Sequence, residues 1–195
     1  MGRNHLRALA TSSEVKVAAI AEPSEGARQS MPSTEAAIYG ELERMLESAS
    51  IDAVLVCVPS DLHLTTVKAL IDAGMPTLCK KPVGVTASQA REAAALVAAA
   101  GLPFQVGFWR RFVPMLTDLR DRVAAGKLGD IYAVANFQWD GEPPSATFRA
   151  HSGGIFVDMG VHEFDETIER AAAERRWVEV SEVTSSVDRA RPARS

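Results

Sequence analysis

The feature that most restricts how this chain can fold is a rhythm in its first 107 residues. Short runs of β-branched and apolar residues alternate there with longer stretches rich in alanine and leucine. A short apolar run without polar alternation suits a strand buried on both faces, and the longer stretches have the length and spacing of helices. Strand and helix in strict alternation make βαβ units, so the fold class read is α/β, with a parallel sheet covered by helices. Residues 15–21, 51–58, 76–79 and 103–107 read as strands, and 41–48, 62–73 and a stretch running to about Ala100 as helices. Gly74 and Gly101 stand where helix stops are expected, and Thr86, Ser88 or both can cap the last of these helices.

Beyond Gly107 the rhythm changes. Residues 114–125 carry leucines and valines at helical spacing, Gly126 and Gly129 punctuate the chain, and 131–139 alternate like a long strand. Residues 140–152, with Gly141, Pro143 and Pro144, read as a loop. A helical segment over 155–173 and a strand over 177–187 follow, and 188–195, rich in Arg, Ala and Pro, read as a disordered tail. Three parts result: a first domain over 1–107, a partial α+β domain over 108–187, and the tail. No internal repeat is present.

Charge and apolar content exclude several classes of function. A net charge of -4 and an acidic pI near 5.6 do not suit a protein that must neutralise phosphates along a duplex. The aromatic and cationic run Phe108-Trp109-Arg110-Arg111-Phe112 holds too few cations to grip a single strand. No apolar stretch reaches the length of a membrane span and the first residues have no secretory apolar segment, so a cytoplasmic protein is expected. Cys57 and Cys79 sit in or beside apolar runs and read as small core residues rather than a disulfide. Asp158 and His162, four apart on a helical stretch, would share one face, as an oriented imidazole or as an ordinary solvated pair. Two such side chains are too few for a metal, and none is expected.

The start of the chain adds a spacing. Gly2 precedes a helix-like stretch at 5–10, and Glu22 ends the next strand 20 residues on (22 − 2). In dinucleotide-binding βαβ units the last glycine of G-x-G-x-x-G opens a helix, and an acid about twenty residues later accepts hydrogen bonds from the adenosine ribose. A glycine and a glutamate alone fit a plain helix start and a surface acid equally well.

Five segments in one order go further: Met1-Gly2-Arg3-Asn4-His5, Ala21-Glu22-Pro23, Pro59-Ser60-Asp61-Leu62-His63, Lys80-Lys81-Pro82, and the block from Gly153 to His162. Together they resemble the glucose-fructose oxidoreductase, inositol dehydrogenase and rhizopine-catabolism (Gfo/Idh/MocA) family, and its inositol dehydrogenases most of all. The resemblance runs from Met1 to about Val187. It implies a Rossmann domain followed by a substrate domain on an open, largely antiparallel sheet. It also implies hydride transfer between a nicotinamide and a secondary alcohol of a cyclitol or sugar, in a protein that self-associates when complete.

By the same resemblance Gly2, Glu22, Pro59, Ser60, His63 and Lys81 border the cofactor, and Lys81, Arg111, Asp158 and His162 the substrate. His162 is then the general base, Lys81 the cation that polarises the hydroxyl, and Asp158 the residue that orients them. For Arg111, and for Arg110 beside it, pairing with an acid is the other reading. Glu22 repels a ribose 2′-phosphate, which makes NAD the expected cofactor rather than NADP. Lys80 departs from the family, which has glutamate before this lysine. Tyr132 and Trp139 read as sheet packing.

In a Rossmann sheet the first strand lies between the strands read here at 15–21 and 51–58. That strand is not among these residues, so two apolar edges are expected to lack partners, at about 1–3 kcal/mol per buried unpaired group. Two functional readings therefore stand: a dehydrogenase of which this is a part, or a non-catalytic remnant that binds at most a partner. A nucleotide-sensing regulator is a third, and it would need no set of Lys81, Asp158 and His162.

Overall fold

The computed structural model describes residues 1–131, 137 and 141–165. Nearly all of the strand expected at 131–139, with Tyr132 and Trp139, lies outside these residues, as do the end of the 155–173 helix, the 177–187 strand and the tail. The chain divides into two units, Met1–Gly107 with Ser145–Asp158, and Phe108–Pro144 with the segment from Met159 onward.

In the first unit helices and strands alternate: α1 (Gly2–Leu9), β1 (Ala19–Ala21), α2 (Glu25–Gln29), β2 (Ala37–Tyr39), α3 (Leu42–Ser48), β3 (Val54–Val56), α4 (His63–Asp72), β4 (Thr77–Lys80), α5 (Ala87–Ala100) and β5 (Phe104–Gly107). Every strand pair is parallel, as a chain of crossovers requires. The strands form two sheets, β1-β2 and β3-β4-β5, with no ladder joining β1 to β3. This is the place where the Rossmann order calls for one more strand.

The sequence reading and the structure differ at several points. The expected strands 15–21 and 51–58 shrink to three residues each, because a ladder forms on one edge only: Ala19 meets Ala37, and Val54 meets Thr77. The weak strand β2 and the short helix α2 escaped the sequence reading, since three and five residues are too few to show a period. Within the expected loop at 140–152 lies a helix, α7 (Ala146–His151), in which the Ser145 hydroxyl accepts from the Phe148 N–H at 3.2 Å.

The core gathers where α4 crosses the three-stranded sheet. Val56, Val67, Leu70 and Cys79 are buried against one another, with Leu46, Val54 and Phe104 packed around them. Helix α5 starts on the Thr86 hydroxyl, which accepts from Gln89, and stops at Gly101, whose φ of +63° only glycine adopts without strain.

The second unit opens with a 3-10 turn at Trp109–Phe112, followed by α6 (Pro114–Ala124). Pro114 opens α6, where its missing N–H leaves no bond unmade. Among the described residues no helix is long and apolar enough to cross a membrane.

Candidate active site

The parallel strands of the first unit bring their C-terminal ends to one edge, which in open α/β sheets is where ligands bind. Lys81 leaves the end of β4 there. Its ammonium donates to the Asp158 carboxylate at 2.9 Å and also to the Asp158 carbonyl oxygen, and both side chains are largely shielded from water. Two residues expected from the sequence to work together, 77 positions apart, are thus held in contact. Asp158 is presented by a π-helical turn, Phe156–Gly160, which starts after the glycine pair 153–154. Gly153 has φ +77°, and a Cβ there would lie 2.9 Å from Val157 and 3.0 Å from Val85, so no side chain fits. That turn is a local departure from the α-helix, of a kind that recurs at functional sites. Segment 145–158 is tied to the first unit a second time by His151, whose Nδ1 meets the Asp61 carboxylate at 2.6 Å.

Pro59 and Ser60 stand in the turn after β3, where a 3-10 segment, Ser60–Leu62, leads into α4. His63 does not reach this surface. It is 1% exposed, its Nε2 lies 3.0 Å from the Val58 carbonyl oxygen, and its Nδ1 contacts the Pro82 carbonyl oxygen. Both ring nitrogens face backbone carbonyl oxygens, and the tautomer decides which of them donates. The expected cofactor contact is replaced by a brace between the chain leaving β3 and the chain after Lys81.

Gly2 opens α1 against the end of β3, where a Cβ added to it would lie 3.8 Å from that of Cys57. Glu22 follows β1. Its Oε1 accepts from the Ser24 N–H at 2.9 Å, and Arg28 donates to the Glu22 and Pro23 carbonyl oxygens at 2.6 and 2.9 Å. A carboxylate has a second oxygen to offer, so the residues present fit a ribose diol at the end of β1 and a phosphate-facing helix start at α1.

In the second unit His162 is buried, with the rings of Phe108 and Trp109 meeting it edge-on at 6.3 and 6.0 Å. Arg111 forks onto Asp165, its Nε donating at 2.9 Å and its Nη2 to the other oxygen, and lies 5.3 Å from the Phe108 ring. Arg110 donates to Glu163 at 3.1 Å. Of the two sequence readings for these arginines, the geometry gives acid pairing. The acids themselves, Glu163 and Asp165, escaped the sequence reading, although they flank the His162 motif and could have been matched to the two arginines by charge.

Protonation follows burial. Burial raises the Cys57 thiol above its ordinary range and pushes that of Cys79 up to about 12. Burial also lowers Lys80. His5 is lowered by burial and then by the charge of Lys80.

An α/β unit with parallel strands, a helix-opening glycine and an acid after the next strand defines a dinucleotide-binding domain. Comparison with known proteins makes this particular. Residues 1–108 match the oxidoreductase family with an NAD-binding Rossmann fold, and residues 116–194 match the GFO/IDH/MocA C-terminal domain. The chain belongs to this family. It is 44% identical over 185 residues to the rhizopine catabolism protein MocA of Rhizobium meliloti, covering 95% of this chain and 56% of that protein. Inositol 2-dehydrogenase of Rhizobium meliloti strain 1021 is 28% identical over 165 residues, or 85% of this chain and 50% of that one. Among solved structures, scyllo-inositol dehydrogenase of Lactobacillus casei with bound NAD(H) and scyllo-inositol superposes with a TM-score of 0.69 at 26% identity. That match covers 87% of this chain and 52% of the other. The chain thus spans about half the length of the curated relatives it matches.

Proposed function

We propose that this chain carries the cofactor-binding and catalytic residues of an NAD-dependent dehydrogenase that oxidises a secondary alcohol of a cyclitol or sugar. The observation that carries the reading is the Lys81–Asp158 ion pair at the end of β4, its two residues lying in the segments that the two domain models of the family match. The relatives named for inositol oxidation support the substrate class, and Glu22 supports NAD over NADP, since its carboxylate suits a 2′-hydroxyl and repels a 2′-phosphate.

Bound NAD supplies the hydride acceptor. The protein's part is to remove the hydroxyl proton as the carbon–hydrogen bond breaks and to stabilise the charge that develops on oxygen. His162 takes the proton from the hydroxyl oxygen. The family resemblance gives Lys81 the role of polarising the hydroxyl, and Asp158 holds its ammonium. No metal is needed in this scheme. The cytoplasm, where Cys57 and Cys79 stay reduced, suits such an enzyme, and the complete protein self-associates.

One observation favours a chain without catalysis of its own: the sheets β1-β2 and β3-β4-β5 share no ladder, so the cofactor platform is divided. Titration of the purified 195-residue chain with NADH, followed by its fluorescence, with NAD and myo-inositol turnover tested in parallel, separates the two. Saturable binding and turnover that drops at least about 100-fold in His162→Ala, at unchanged NADH affinity, is the expected result. Binding without turnover favours the non-catalytic reading, and turnover that survives the substitution removes His162 from the mechanism.

A further inference from the structure

Lys81 stands just past the last rung of its strand. The ladder of β4 with β3 ends at the pair Val56–Cys79, and the ladder with β5 at Lys80–Gly107, so neither neighbouring strand holds the Lys81 backbone. Its ammonium sits at the tip of a flexible four-carbon stem, yet the side chain is only 12% exposed and is bonded to Asp158. A cation on such a stem keeps one direction only if its backbone is fixed nearby. Pro82, the next residue, has no N–H, which leaves its carbonyl oxygen as the one main-chain group it can offer. That oxygen meets Nδ1 of His63.

His63 is itself firmly held. It is the first residue of α4 and 1% exposed, and its Nε2 lies 3.0 Å from the Val58 carbonyl oxygen in the chain leaving β3. Helix α4 in turn buries Val67 and Leu70 fully in the core. An apolar side chain of similar volume at 63 would leave both carbonyl groups without that contact. Contacts therefore run from the core through α4 and His63 to Pro82, and from there to Lys81 and Asp158.

We propose that His63 is a positioning residue for Lys81: its ring fixes the Pro82 carbonyl group against the start of α4, and this sets the direction in which the Lys81 ammonium points. Asp158 then receives a cation already aimed, rather than one drawn from many rotamers. That the aimed ammonium serves a substrate hydroxyl rests on the function proposed above. The aiming itself does not, because every contact in it is made within this chain.

The test measures how fast each lysine of the chain reacts with an acetyl N-hydroxysuccinimide ester, resolved by tandem mass spectrometry, in the parent and in His63→Leu, His63→Asn and His63→Gln. Asn places an amide N–H where Nδ1 stands and Gln places one where Nε2 stands, so only Asn can keep the Pro82 contact. Lys80 in β4 and Lys68 in α4 report on loosening of those elements. Support is a Lys81 rate that rises at least about tenfold in His63→Leu and His63→Gln and stays near the parent value in His63→Asn, with Lys80 and Lys68 unchanged. If His63→Leu does not fold, the contrast between Asn and Gln decides. An equal Lys81 rate in the parent and His63→Gln overturns the proposal. So does a rise shared by Lys80 and Lys81, the mark of a histidine that only stabilises the fold. Turnover of NAD and myo-inositol by the same variants addresses the function: kcat should fall as the Lys81 rate rises, at unchanged KM for NAD. A parent without turnover counts against that function, while the acetylation rates still decide the positioning.

Discussion

Cys79 is fully buried between β3 and β5, and its thiol donates to the Lys80 carbonyl oxygen at 3.3 Å. Burial holds its pKa at about 12, above the value of about 9 that it has in an unfolded chain. Between those limits the unfolded chain loses the proton and the folded chain keeps it. The contribution of this thiol to stability is therefore complete below pH 9 and is lost as pH rises toward 12, by up to about 4 kcal/mol. Urea unfolding at pH 7, 9 and 10.5 should show this decline, and Cys79→Ala should flatten it. An identical slope in that variant would assign the decline to other groups. That Cys79 is a core residue was readable from its apolar run, because burial of a small thiol needs only apolar neighbours in sequence. The role of His63 was not readable, because the carbonyl groups it braces belong to Val58 and Pro82, and backbone acceptors carry no sequence signature.

Helix α4 is the element that joins the core to the site. Leu70, fully buried on one face of it, packs with Val56, Val67 and Cys79, and Leu70→Ala should cost about 2–5 kcal/mol of unfolding free energy by leaving a cavity. A loss below about 1 kcal/mol in urea titration would mean that the core is not consolidated around α4. Helix α7 is held differently, by the exposed pair His151–Asp61. The hydrogen bond from His151 is the main cause that lowers the Asp61 pKa, so this pair stabilises above the ordinary carboxylate value of 3.8 and fails as pH falls below it. His151→Ala should shift acid unfolding to higher pH and speed proteolytic cleavage near residues 141–150, as read by circular dichroism and limited digestion. Unchanged cleavage would show that α7 is held by other contacts. The sequence reading made this stretch a loop because its glycine and prolines outweigh six helical residues, whose helix rests on the Ser145 cap and the distant Asp61.

At the scale of the whole molecule, among the described residues β1 has β2 on one side and no ladder on the other, and β3 has β4 on one side only. Unpaired strand edges recruit other strands, so the chain should self-associate with rising concentration in sedimentation velocity. A single monomeric species across the range would show that those edges are closed in solution. The sequence alone determined the βαβ alternation, the helix stops at Gly74 and Gly101, the core thiols and the residues of the family motifs. Each of these depends on neighbours within a few positions, through strand and helix periodicity, capping or burial of a short apolar run. Only the tertiary structure decided that Lys81 grips Asp158, that His63 braces backbone, that Arg110 and Arg111 pair with Glu163 and Asp165, and that Lys80 is buried. Those outcomes depend on which strand ends and loops meet in space, and side chains tens of residues apart find one another through sheet register rather than through any local pattern.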